Sequence, residues 1–286
     1  MLFKRCAKNI FFSILNLIRS KKYRIKVDSV ESNFIDDKLP RISIAFQVHC
    51  FYTDLLPELY DYLNVMSLKF DLFISTDTAD KKKDIESFFQ CKKIKACEKI
   101  SVKVFDNRGR DIYPFLAQIS PVWNKYDYIG HFHTKKSLTA DFGDEWRNYI
   151  YKNIFANSIY VTNLFCYMQE HPRVGFVTPP PYKKILSMYY FNRMSKKNVQ
   201  SINDLLQKLG IKIFSKKNVS LSFEFPAGNM FIAKRNSIKQ IFEYGFSAND
   251  FPEEFGQVSN TLQHTIELIW HYLVFFNKYD YKECSL

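Results

Sequence analysis

The residues most able to do chemistry in this sequence stand at the ends of apolar runs. His49 closes one run and Ser75-Thr76-Asp77 the next; Asp106-Asn107-Arg108-Gly109-Arg110-Asp111 closes a third, and His131-Phe132-His133-Thr134-Lys135-Lys136-Ser137 a fourth. If each run is a strand, these ends form one polar rim, and ligands of open α/β sheets bind beyond the carboxyl ends of the strands. In the 107–111 turn, Gly109 permits close backbone approach, and Arg108 and Arg110 flank it just before the next apolar segment. Arginines at a helix N-terminus suit phosphate. The same turn is compatible with a structural role, with Asp111 capping the helix or pairing with Arg108 or Arg110. His131 and His133 alternate on one strand face. A metal finds no obvious third ligand in the sequence, a diphosphate finds a histidine and Lys135, and one core histidine beside one exposed histidine is the plain alternative.

Two further groups stand downstream. Phe225-Pro226-Ala227-Gly228-Asn229-Met230 is a tight turn of small residues, of the kind found where backbone lies against a ligand. Asp250, Glu253 and Glu254 precede a helical pattern in which Gln257, Thr261 and His264 share a face. A carboxylate here is able to deprotonate an acceptor hydroxyl, or simply complements the helix dipole.

The elements that must position these groups read as alternating strands and helices. Strands are expected over 42–48, 70–75, 100–105, 126–132 and 174–177, with helical patterns over 55–63, 80–89, from 114, and over 261–276. The turn at 225–230 leads into a further strand ending near 233. Such alternation argues for βαβ units and a largely parallel sheet. Residues 182–222 are polar and irregular apart from a helical stretch near 202–209, and read as an insertion or lid.

With 286 residues, 47% hydrophobic and 24% charged, the chain has a globular balance and enough length for a sizeable core. A net charge of +12 favours an anionic partner, although it is mostly lysine spread along the chain, as on a solvated surface. The aromatics lie inside apolar periodic segments and not among the basic residues, which argues against nucleic acid. Six cysteines without a CxxC pair suggest reduced thiols and the cytosol. At the N-terminus an apolar block over 10–18 is flanked by Lys4, Arg5 and Lys8 and by Arg19, Lys21, Lys22, Arg24 and Lys26. Residues 1–26 therefore suit an anionic membrane surface, and also suit packing on the main domain or a partner subunit. The expected organisation is a basic amphipathic helix and linker over 1–40, then one domain over 41–286.

Taken in order, these motifs resemble the rhamnan synthesis protein F family of bacterial polysaccharide glycosyltransferases. The resemblance is carried by His49-Cys50-Phe51-Tyr52-Thr53-Asp54-Leu55, Asn107-Arg108-Gly109-Arg110-Asp111, Tyr126-Asp127-Tyr128 with His131 to Ser137, Trp146-Arg147, Phe225 to Phe231, and Phe251-Pro252-Glu253-Glu254 with Gln257, Thr261, His264 and Glu267. It runs over 42–272 and implies a GT-A-like, Rossmann-type sheet flanked by helices. It further implies transfer of a rhamnose-like deoxysugar from a nucleotide-sugar, dTDP-sugar favoured, to a glycan or lipid-linked acceptor on the inner face of the bacterial cytoplasmic membrane. His131-Phe132-His133 stands where many such enzymes carry Asp-x-Asp, which leaves a divalent metal open. Ser259-Asn260-Thr261 replaces an expected Asp-Gly-Thr. On this resemblance His49, Asp77, Asn107, Arg108, Gly109, Arg110, Asp111, His131, His133 and Lys135 surround the donor. Glu254 is the base, with Asp250 or Glu253 as substitutes, while Gly228, Asn229, Met230, Gln257 and His264 meet sugar or acceptor. The competing reading is a non-catalytic scaffold of a polysaccharide assembly complex that retains the fold.

Overall fold

The computed structural model describes residues 23–27, 41–134, 136, 142–186, 196–211, 225–256 and 261–286. Among the described residues eight strands form one sheet in the order β1-β8-β6-β7-β5-β2-β3-β4. They are β1 (Arg24–Lys26), β2 (Ile44–His49), β3 (Phe70–Thr76), β4 (Cys97–Val104), β5 (Tyr128–His133), β6 (Val174–Thr178), β7 (Phe231–Lys234) and β8 (Asp280–Ser285). Every pairing is parallel except those of β7, which runs against both β5 and β6. The flanking helices are α1 (Leu56–Leu63), α2 (Ala79–Cys91), α3 (Ile112–Ile119), α4 (Gly143–Ile154), α5 (Ser158–Glu170), α6 (Lys196–Lys208) and α7 (Leu262–Phe276).

The two-residue period of the strands sorts the core into two halves. Ile44, Phe46 and Val48 of β2, Leu72 and Ile74 of β3, and Phe132 of β5 pack with α1, α2, α4 and α5. Ala45, Phe73, Ile129 and Phe231 face the other way, against α3, α6 and α7. By the same parity Gln47, His49, Ser75, His131 and His133 lie on the α3/α7 face. Local signals set the helix starts. Thr78 Oγ1 accepts from Lys81 N at the start of α2, Asn157 Oδ1 accepts from Tyr160 N at the start of α5, and Pro57 stands in the first turn of α1. The edge strand β4 carries lysines 99 and 103, a defence against edge pairing.

The expected strands and helices appear within a few residues of their places. The helix near 202–209 is longer, starting at Lys196, while 187–195 and 212–224 lie outside the described residues. Helices α4 and α5 and strands β1 and β8 had no counterpart in the sequence reading. Arg24, Ile25 and Lys26 pair in parallel with Glu283, Cys284 and Ser285 and so belong to the sheet. Residues 1–22, most of the expected membrane-facing segment, lie outside the described residues. Among the described residues no helix is long and apolar enough to cross a membrane.

Gly130, in the middle of β5, has no room for a side chain. A Cβ there meets Phe46 Cδ1 at 2.6 Å and Phe132 Cε2 at 2.7 Å, and Phe46 is itself locked against Phe70, Phe132 and Phe155 at centroid distances of 5.0, 5.4 and 5.7 Å. Gly130→Ala is expected to lower the urea-unfolding free energy by about 1–3 kcal/mol, the usual cost of overpacking. An unchanged midpoint would show that the Phe46 ring has space to yield.

Candidate functional site

Register brings the polar residues of neighbouring strands side by side. Gln47 is opposite His131, and His49 is opposite both His133 and Ser75. From these rows grows a continuous buried chain of hydrogen bonds. His131 Nδ1 lies 2.8 Å from Gln47 Oε1, and its Nε2 lies 3.0 Å from Asp111 Oδ2. Gln47 Nε2 donates to Ser75 Oγ (2.9 Å) and to Gln118 Oε1 (3.1 Å), and Gln118 Nε2 donates to the Ile74 carbonyl at 3.0 Å. Ser75 Oγ meets His49 Nδ1 at 2.9 Å. At the other end Asn229 Nδ2 donates to the same Asp111 Oδ2 at 2.7 Å, and Trp270 Nε1 donates to Asn229 Oδ1 at 2.9 Å. Burial alone would push the Asp111 carboxyl up. The charge of His133, the hydrogen bond and charge of His131 and the Asn229 amide outweigh it and hold the group well below the usual carboxylate range.

His133 is tied to the turn that leads into β7, its Nε2 lying 2.7 Å from the Gly228 carbonyl. That turn packs on α4 through Trp146 and Ile150, leaving a cavity of about 10 Å³ lined with His133, Arg147 and Met230, no larger than one water. Arg147 fixes α4 to α1 through a two-pronged pair with Glu58 (2.8 Å on each arm) and also reaches Asp144 at 2.7 Å. Beside His49, Lys81 pairs with Asp77 at 2.7 Å and lies 4.0 Å above the Phe51 ring. Thr134 Oγ1 accepts from Tyr52 N at 3.0 Å, and Lys136 pairs with Asp54 at the rim.

Across the rim, the 107–111 turn meets the segment before α7. Arg108 donates to Glu253 Oε1 at 2.6 Å and to the Phe251 carbonyl at 3.1 Å. Arg110 reaches Glu254 on two arms, each 3.1 Å, and His264 Nε2 at 3.2 Å. Burial draws the Arg110 guanidinium's pKa down, but the Glu254 hydrogen bonds and charge more than reverse this.

Most of the expected residues are therefore brought together, with roles the sequence left open now separated. Asp111 makes no capping bond and pairs with neither arginine in the bonds above; it binds His131 and Asn229. Gly109, at φ 65°, is needed because Phe251 lies 2.6 Å from where its Cβ would stand, a close approach of protein to protein. Met230 is buried in the core on the α1/α4 side and Gly228 packs on α4, so it is Asn229 that reaches Asp111 at the start of α3. Asp250 is exposed and occupied in a capping box with Ser247, apart from the two arginines. Asn107 is exposed at the turn. Lys135 and Gln257 lie outside the described residues. The sequence reading missed Gln47, Gln118 and Trp270, whose only signal was a polar group inside an otherwise apolar run. Among the described residues no group of three His, Cys, Asp or Glu side chains is arranged to hold a metal, and the nitrogens of His131 are spent on Gln47 and Asp111. A larger hollow of about 450 Å³ lies near Arg41, Asp127 and Lys234, where the parallel strands begin. The Lys234 ammonium is spent there on the carbonyls of Met168, His171 and Pro172.

His49 gives the site a pH signature. Burial above all, with opposing pulls from Asp111 and Asp77 and reinforcement from His131 and Lys81, lowers its pKa from 6.5 to about 4. In that interval the unfolded chain takes a proton at His49 that the folded chain refuses, so acidification favours unfolding. Between about pH 7.5 and about pH 5, wild type is expected to lose up to about 2 kcal/mol of stability through this residue, and His49→Gln should flatten the dependence in urea melts. Equal slopes for both proteins would assign the acid sensitivity to other groups.

Comparison with known proteins adds a family to this geometry. The pattern of the family described as rhamnan synthesis protein F matches residues 13–279. The uncharacterized protein WxcX of Xanthomonas campestris pv. campestris strain B100 is 27% identical over 228 residues, 79% of this chain and 30% of WxcX. WxcX of strain ATCC 33913 gives the same 27% over 228 residues. The chain thus spans about 30% of the length of the curated relatives it matches. Among solved structures, the mannosyltransferase PcManGT from Pyrobaculum calidifontis, in complex with GDP-Man and Mn2+, aligns with a TM-score of 0.48 at 11% identity, over 98% of this chain and 66% of that one. The family match begins upstream of β1, well before the motifs at 42, and covers every element that carries the site. On that extent, the chain belongs to the rhamnan synthesis protein F family.

Proposed function

We infer that this chain is a glycosyltransferase of polysaccharide synthesis, with a GT-A-like sheet, moving a sugar from a nucleoside-diphosphate donor to a growing glycan or lipid-linked acceptor. The observation that carries this reading is the meeting of Arg108, Arg110, His49, His133 and Glu254 around the carboxyl edge of one sheet face, in a member of a rhamnan synthesis family. The family description favours a rhamnose-like deoxysugar, hence a dTDP carrier. The basic and apolar block within residues 1–22 favours a peripheral place on the inner face of the cytoplasmic membrane.

In this mechanism His49 and Asp77 stand by the nucleoside. Arg108, Arg110, His133 and Lys135 offset charge building on the leaving diphosphate. The acceptor oxygen attacks the anomeric carbon as the bond from that carbon to the β-phosphate oxygen breaks, and the electron pair leaves on the phosphate. The hydroxyl proton passes to the Glu254 carboxylate, with inversion at the anomeric carbon. Glu253 is the substitute nearest to it. The second reading, a non-catalytic scaffold, draws on the closed Arg110–Glu254 pair, which occupies both oxygens of the proposed base.

A thermal-shift screen of the whole chain with dTDP, UDP, GDP and CDP tests the donor site. One nucleotide is expected to stabilise selectively, and no shift from folded protein with any of them would move the reading to the scaffold. Arg110→Ala is expected to weaken the selected nucleotide by about 10–100-fold, the worth of a charge-assisted hydrogen bond. Glu254→Gln should still bind nucleotide while turnover falls by about 10²–10⁴-fold; undiminished turnover would remove Glu254 as the base.

A further inference from the structure

Arg110 and Glu254 each have two possible employments, and the observed contacts satisfy the one that does no chemistry. The guanidinium places Nε and Nη2 on the two oxygens of Glu254, both at 3.1 Å, and Nη1 on His264 Nε2 at 3.2 Å. Glu254 Oε1 also accepts from Gly256 N at 3.1 Å. So the fork that would hold a diphosphate holds a carboxylate, and the carboxylate that would take a proton faces a cation. Arg110 has a φ of 54°, directly after Gly109 at 65°. A non-glycine residue persists in this left-handed region only where its surroundings hold it, and such strain gathers at sites that change state. The neighbouring Arg108 makes the parallel arrangement, bonded to Glu253 Oε1 and the Phe251 carbonyl, so two arginines of one turn clip the 251–256 segment.

We propose that Arg110 and Glu254 form an exchangeable clamp, in which the donor diphosphate displaces the carboxylate from the guanidinium and thereby releases the base. This rests on the donor-site reading above. Carboxylate and phosphate offer the arginine fork the same pair of acceptor oxygens, and the diphosphate carries more charge, so the exchange replaces like with like. The side chains are placed for it: 34% of the Arg110 side chain and 13% of the Glu254 side chain are exposed, enough for an incoming anion to reach the pair without crossing the core. Once the guanidinium is on phosphate, the two Glu254 oxygens it held are open to an acceptor hydroxyl. The base is therefore released only when a donor is bound, and the donor binds before the acceptor is activated.

The test is calorimetric titration of the full chain with the nucleoside diphosphate chosen by the thermal-shift screen, comparing wild type, Glu254→Gln and Glu254→Ala. Removing the internal competitor is expected to tighten binding by about three- to tenfold, the scale of a partly exposed ion pair. A base with no clamp role leaves affinity unchanged. Equal or weaker binding in both variants overturns the clamp and leaves the donor site standing, whereas no binding by wild type overturns the donor site itself. Amide hydrogen exchange of wild type supplies a readout that needs no substitution. The nucleotide should speed exchange at Phe255 and Gly256, where ordinary ligand contact would slow it, and slower exchange there overturns the clamp.

Discussion

One carboxylate oxygen, Asp111 Oδ2, joins the parts of the site. It receives His131 from β5 and Asn229 from the turn before β7, while Asp111 itself opens α3. Three segments distant in sequence converge on it. Through His131 and Gln47 its influence runs to Ser75 and His49, and through Asn229 to the Trp270 indole in α7. In a low-dielectric interior such a chain is stabilising only if each member is satisfied. A buried partner left alone costs several kcal/mol, about 3–5 for half of an ion pair. The shape of the strand edge is therefore an all-or-none property: the bonds stand together, and they hold the rows of β2, β3 and β5 at fixed height against α3.

Above this rigid floor sits a rim of a different physical kind. The pairs of Arg108 with Glu253 and of Lys136 with Asp54 are half exposed, and such pairs are each worth about 0–1 kcal/mol. They order the rim without freezing it. The site thus combines a floor that resists substitution and a border whose contacts are of the strength that ligands routinely replace. The arginine pairs belong to the border, although the backbone turn that carries them is pinned from beneath by Asp111 and by the Phe251 ring against Gly109.

How much of this was legible in the sequence follows from what each element needed. The central strands announce themselves because both faces are buried, which demands near-continuous apolar runs such as the one over 44–48, broken only by Gln47. Strand β1 has only three residues, Arg-Ile-Lys, and β8 reads Asp-Tyr-Lys-Glu-Cys-Ser, both with too little apolar character to stand out. Helix α4 mixes Asp144, Glu145, Arg147 and Lys152 with its apolar positions, and its buried Arg147 is made acceptable by Glu58, from α1, and by Asp144. The residue types at the strand ends were readable, and so was their common edge. Their partners were not. Gln47, buried in β2, looked like an interruption of an apolar run, and Arg110 meets Glu254 across 144 residues, a pairing no local pattern encodes.

The reversed strand β7 has a consequence for how such a site diversifies. Because it runs against its neighbours, its beginning, and not its end, reaches the polar edge. The stretch that feeds this beginning is the 179–230 connection from β6, which includes α6 and the Gly228-Asn229 turn. Changes of length or composition along that connection alter what is delivered beside His133 while every parallel strand end keeps its register. The architecture therefore separates two channels of change: the 107–111 turn, Asn229 and three strand ends, which one bond network ties together, and the remainder of that connection, whose variation leaves the strand register untouched.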